Sequence, residues 1–120
     1  MVAVTAALAV GVLRRVVVAG TSMVPTLAPG DRLLVLRLPA RWPLHTGDLV
    51  AVPDPRPGPD GPGPLLVKRV VSSGPAGVEV AGDNASASTD SRAFGPVSRR
   101  SVVGRALYRY GPPGRSGRLR

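Results

Sequence analysis

Cysteine is absent from the 120-residue chain, which excludes disulfide staples, thiolate metal sites and a cysteine nucleophile. His45 is the only histidine and the seven acids are scattered, so no group has metal-ligand spacing and no metal or cofactor is expected. Aromatic residues are only 3% of the chain, leaving few rings on which bases could stack. The formal charge of +9 suggests an anionic partner, either nucleic acid or an acidic membrane surface. Many arginines are spread singly between apolar residues, however, and nucleic acid is not expected as the main partner. Lysine is nearly missing as well: Lys68 stands alone among the 16 basic residues. Nucleophilic chemistry must then come from Ser, Thr or Lys.

Long apolar runs are also lacking. The longest, VAVTAALAVGVL at residues 2 to 13, ends at Arg14 and Arg15. As a helix it reaches about 18 Å, short of a hydrocarbon core of roughly 30 Å. No basic residue precedes it and no small-residue cleavage site follows, so it does not read as a secretory signal. Residues 1–14 are taken as a membrane-dipping or surface-lying anchor, with a buried helix as the alternative; the chain is then membrane-associated through this segment, or cytoplasmic.

What remains is punctuated like a β protein. Short β-branched runs occur at 15 to 20, 32 to 37, 47 to 52, 64 to 71, 77 to 82 and 101 to 110, most of them separated by Gly-Asp or Pro-Gly pairs that set turns. The stretch PDPRPGPDGPGP, residues 53 to 64, has too many prolines to pair and reads as a surface loop. The length allows one domain with one modest core. The expectation is an all-β domain of coiled antiparallel strands over residues 15–110, acting as a monomer, with a flexible basic tail at 111–120.

Three segments could carry chemistry. In GTSMVPTLAPGD, residues 20 to 31, Ser22 follows an apolar strand and precedes a proline-rich turn that could hold its Oγ in one place. Taken alone, the segment favours an ordinary turn serine. In LLVKRVV, residues 65 to 71, strand alternation puts Leu66, Lys68 and Val70 on one face and Val67 and Arg69 on the other. Desolvation there would penalise the ammonium and make the amine a base near neutral pH, which arginine could not be. A lysine snorkelling from a sheet edge is the plainer alternative. In GDNASASTDSRAFGPV, residues 82 to 97, Gly82, Asp83 and Asn84 form a tight turn and Asp90 can pair with Arg92 to brace the loop, leaving Ser88 to bond elsewhere. A solvated Ser-rich loop has the same composition.

In order, these segments spell S-M-x-P-T-L, K-R-V and G-D-N-x5-D-S-R-x-F-G. Together they resemble the type I signal peptidase family over residues 15 to 108. The small size, the short apolar run and the Arg- and Tyr-rich ending look further like that family's nickel-type superoxide dismutase maturation proteases. The resemblance implies a serine endopeptidase that removes an N-terminal signal or leader peptide, in a fold related to self-cleaving repressor-type proteases. It implies Ser22 as nucleophile, Lys68 as general base, and Ser88 orienting the lysine. It also implies Asp90, Arg92, Asp83 and Asn84 bracing the loops, and Met23 and Pro25 in the substrate groove. The position two before the nucleophile carries a hydroxyl in some relatives and is Gly20 here. The oxyanion hole would then rest on the Ser22 backbone N–H and the Gly20 region, and a lost donor can cost about 3 kcal/mol.

The partner so implied is a precursor protein or its leader peptide, with membrane-surface contact. A self-cleaving repressor would need a DNA-binding domain and an internal cleavage site, and neither fits ahead of Ser22. A basic β module binding nucleic acid or acidic membrane without catalysis is the alternative from another class.

Overall fold

In the computed structural model, residues 13–37, 39–55 and 65–119 are described. Seven strands form one antiparallel sheet: β1 (Leu13–Val17), β2 (Arg32–Arg37), β3 (Leu49–Pro53), β4 (Leu65–Gly74), β5 (Gly77–Ala81), β6 (Gly104–Gly111) and β7 (Gly117–Arg118). Their order is β1-β2-β6-β3-β4-β5, with β7 paired to β6. The one-turn helix α1 (Ser91–Phe94) begins at Asp90, whose side chain accepts the Arg92 N–H. The all-β expectation holds, because each β-branched run alternates faces between turn-forming pairs.

Strand β3 organises the interior. Leu49 and Ala51 point into one apolar cluster with Val16, Val18, Met23, Leu27, Leu33, Val35, Val67 and Ala106. Val50 and Val52 point into a second, with Leu44, Val70, Val78, Val80, Val97 and Val102. A strand covered on both faces needs apolar residues at consecutive positions, which accounts for the unbroken LVAV. Strand β4 lies beside it in register, Val50 opposite Lys68. Val67 enters the first cluster, while Leu66 and Val70 join the second, so Lys68 shares the second face. Register shifts in the β2–β6 and β4–β5 pairings bend the sheet into its coil.

Two sequence expectations need correction. Leu13 and Arg14 belong to β1 and not to an N-terminal anchor segment; residues 1–12, which carry the rest of the anchor reading, lie outside the described residues, as do 56–64 of the proline-rich loop. Among the described residues no helix is long and apolar enough to cross a membrane. The ending is not a free tail: β7 pairs with Tyr108 and Arg109, the Leu119 N–H donates to the Leu107 carbonyl, and Arg115 reaches Asp31. The buried Asp31 carboxylate, 1% exposed, draws in a cation from the far end of the chain.

Leu33 has no exposed surface and sits in the first cluster. Leu33→Ala is expected to cost about 2–5 kcal/mol in urea unfolding with little change of slope. A loss under about 1 kcal/mol would mean this side of the sheet is loosely packed.

Candidate active site

The segment from Val18 to Asp31 leaves and re-enters the sheet at one point. The Val18 N–H donates to the Asp31 carbonyl at 2.8 Å and the Gly30 N–H to the Val18 carbonyl at 2.8 Å. Inside it, the Val24 N–H donates to the Thr21 carbonyl and the Leu27 N–H to the Met23 carbonyl, while the Met23 and Leu27 side chains are buried in the first cluster. Two buried anchors and a closed base leave the half-buried Ser22 little freedom.

Opposite stands Lys68 of β4, only 2% exposed. Its Nζ donates to Ser88 Oγ at 2.9 Å, and Ser88 Oγ donates to Asp90 Oδ2 at 2.8 Å. An ionised carboxylate only accepts, so the Ser88 proton points at Asp90 and the oxygen's lone pair at the lysine. Asp90 itself is 1% exposed and takes the Gly82 N–H, the Arg92 N–H and both Nε and Nη2 of Arg92. The Arg92 guanidinium holds the Asp90 carboxyl well below the usual range, more than offsetting burial.

A third set of contacts locks the Ser22 turn onto this loop. The Asn84 N–H donates to the Ser22 carbonyl at 2.7 Å and Asn84 Nδ2 to the Thr21 carbonyl at 3.1 Å. The Asp83 N–H meets Met23 Sδ at 3.4 Å, and Thr26 Oγ1 donates to Asp83 Oδ2 at 2.6 Å. Arg69 grips Asp83 with a two-pronged contact, Nε to Oδ1 at 2.9 Å and Nη2 to Oδ2 at 2.6 Å, which lowers the Asp83 pKa. Gly82 lies between the two serines: a Cβ there would sit 2.6 Å from the Ser22 carbonyl oxygen and run into Ser88 Oγ.

Two clefts open at Ser22. One, of about 200 Å³, is lined by Gly20, Thr21, Ser22, Leu66, Lys68, Ala87 and Thr89. The other, of about 100 Å³ and mostly apolar, is lined by residues 17–20, Ser22, Met23 and Leu65, Leu66 and Val67.

The family described as "Signal peptidase, peptidase S26" matches residues 1–83 and 75–111, nearly the whole chain. The chain belongs to this family. A relative in Arabidopsis thaliana, "Mitochondrial ATP-independent inner membrane protease subunit 1a", is 37% identical over 125 residues, covering 84% of this chain and 72% of its own length. This signal peptidase family member is accordingly a peptidase, and its fold places Ser22 and Lys68 on one cleft with Ser88, Asp90 and Arg92 behind the lysine. Asp83 and Asn84 brace the Ser22 turn. Met23 is buried and lines the apolar cleft; Pro25 is exposed and belongs to neither lining.

Several residues of the peptidase site were not legible as such. Gly82 was read as a turn former, while its closest constraint is contact with both serines. Thr26 and Arg69 were motif letters without a task, and Asp31 was part of a Pro-Gly-Asp turn. Each acts through partners remote in sequence, and local pattern carries no sign of that; only their place inside motif segments could have flagged them.

Two outcomes follow for measurement. Gly82→Ala should leave the far-ultraviolet circular dichroism unchanged while lowering peptidase activity by tenfold or more, on the order expected for a small displacement of reacting groups; full activity would show that the serines are free to part. Asp31, Asp83 and Asp90 are all held below their ordinary value. Their contribution is complete above the unfolded carboxyl pKa of about 3.9 and is lost as pH falls through the lower folded values. The melting temperature should drop below about pH 4, and less steeply in Asp90→Asn, which starts lower at neutral pH. A wild-type melting temperature that stays level down to pH 2 would contradict the arginine pairing.

Proposed function

We propose that the chain is a serine endopeptidase with a Ser22 and Lys68 dyad that removes N-terminal leader peptides, with the precursor of a nickel superoxide dismutase as candidate substrate. The observation that carries the dyad is the shared cleft: a buried lysine amine, already oriented by Ser88, lines the same space as Ser22.

In the first step the uncharged Lys68 amine takes the Ser22 hydroxyl proton as Oγ bonds to the scissile carbonyl carbon. The oxyanion that forms is met by the Ser22 backbone N–H and the Gly20 region. The Lys68 ammonium then protonates the departing amine, leaving an acyl group on Ser22. Water, deprotonated by the same amine, attacks the ester; the Lys68 ammonium returns that proton to Ser22 Oγ as the C–O bond breaks, which frees the new carboxyl group and restores the dyad. Burial supports this role, because a dry pocket penalises the ammonium and shortens the time the proton stays. Arg92 supports it also: by pairing with Asp90 it weakens the field that this carboxylate relays through Ser88 to the lysine.

For the peptide, β1 is an edge strand among the described residues, and an extended chain can pair along it. The apolar cleft of about 100 Å³ beside Ser22 then suits a small side chain near the cut. Substrate identity rests on the sequence resemblance alone. The relative's name places that protein at an inner membrane, which agrees with a membrane-surface role for the N-terminal run.

The test is mass spectrometry of a nickel superoxide dismutase precursor incubated with wild type, Ser22→Ala and Lys68→Arg. Wild type should release the leader and both variants should be slower by at least about a thousandfold. Near-wild-type cleavage by Lys68→Arg would reject the general base. Cleavage of other leaders but not this one would reject the substrate and keep the dyad.

A further inference from the structure

The family match ends at residue 111, yet the segment beyond it is fastened to the base of the Ser22 turn. Arg115 Nε donates to Asp31 Oδ1 at 2.9 Å and Arg115 Nη2 to Oδ2 at 3.0 Å. Arg109 of β6 donates through Nη1 to Asp31 Oδ2 and to the Thr26 carbonyl, each at 3.0 Å. The same carboxylate accepts the Ala28 N–H at 2.9 Å, and the Asp31 backbone carbonyl takes the Val18 N–H that closes the segment. Asp31 thus joins both ends of the Ser22 turn to the sheet and to the chain's last strand.

We propose that Arg115 is a positioning residue that acts through Asp31: the segment from Pro112 to Leu119 is a strap that holds the Val18–Asp31 turn, and with it Ser22, in place. This rests on the reading of Ser22 as nucleophile.

The physical argument turns on the two oxygens of Asp31. Oδ2 has Arg109, Arg115 and the Ala28 N–H, while Oδ1 among the described residues has Arg115. Removing Arg115 leaves a buried, charged oxygen without its donor, which the site can relieve only by turning the carboxylate or admitting water. Either change loosens the Ala28 N–H and the paired ends at Val18 and Gly30. The strap has its own footing: the Arg115 N–H donates to the Pro112 carbonyl, and β7 pairs with β6, where Arg109 also lies. The guanidinium is therefore presented to Asp31 by a fixed backbone. The strap's hydrogen bonds run to Asp31 and to β6, while the substrate is read as docking along β1 and the β4 wall, so the cost should fall on turnover.

The experiment compares wild type with Arg115→Ala in steady-state cleavage and in amide hydrogen exchange. Arg115→Ala should lower kcat by about tenfold to a hundredfold, the scale of a small misplacement of a reacting group, with KM within about twofold. Exchange at Ala28, Gly30 and Asp31 should quicken while β3 and β4 keep their protection. Unchanged kcat in a folded variant, or unchanged exchange at those amides, overturns the proposal, as does protection lost evenly over the whole sheet. If Arg115→Ala does not fold, Arg115→Lys, which keeps the charge but not the fork, is judged by the same criteria. A wild-type chain that cuts no leader peptide would sink the nucleophile reading instead, and the exchange data would still decide whether the strap holds the turn.

Discussion

A lysine amine can lie 2% exposed inside an aliphatic sheet only if each neighbour that could take or give a proton is itself fixed, and the rest of the site follows from that constraint. Lys68 donates to Ser88, Ser88 donates to Asp90, and Asp90 is paired with Arg92 and accepts the Gly82 N–H. The chain of contacts has one direction, since Asp90 can only accept. The arginine at its end matters as well: its Nη2 lies 2.6 Å from Asp90 Oδ2, so the carboxylate behind Ser88 is paired.

The same economy governs the turn that bears Ser22. A serine side chain is positioned only as well as its backbone, and here the backbone is pinned from three directions: by Met23 and Leu27 in the core, by Asn84 on the Ser22 and Thr21 carbonyls, and by Asp31 at the base. Asp83 ties the turn to β4 through Thr26 and Arg69, the residue next to Lys68 on the opposite face. Neighbouring positions of one strand thus serve both halves of the site, Lys68 inward to the cleft and Arg69 outward to the brace, because strand geometry sends them to opposite sides.

Family membership and geometry meet at this point. The matched residues contain every letter of the three motifs, and the fold brings those motifs to one cleft. The strap formed by residues 112–119 lies beyond that match. The physical reason it can bear on the site is that Asp31 is buried and accepts from Arg115 as well as Arg109.

Local rules were enough for the sequence to settle the fold class, the extent of β2 from Arg32 to Arg37, and the face on which Lys68 lies, because strand alternation and turn chemistry act over two to four residues. The pairing of Asp90 with Arg92 was legible for the same reason, two positions apart. The sequence could not say that Gly82 is pressed between Ser22 and Ser88, that Thr26 bonds Asp83 across 57 positions, or that Arg115 reaches Asp31 across 84. Those contacts exist only once the sheet has coiled and two distant turns share one volume, and an isolated basic tail looks free until a buried carboxylate is put within its reach.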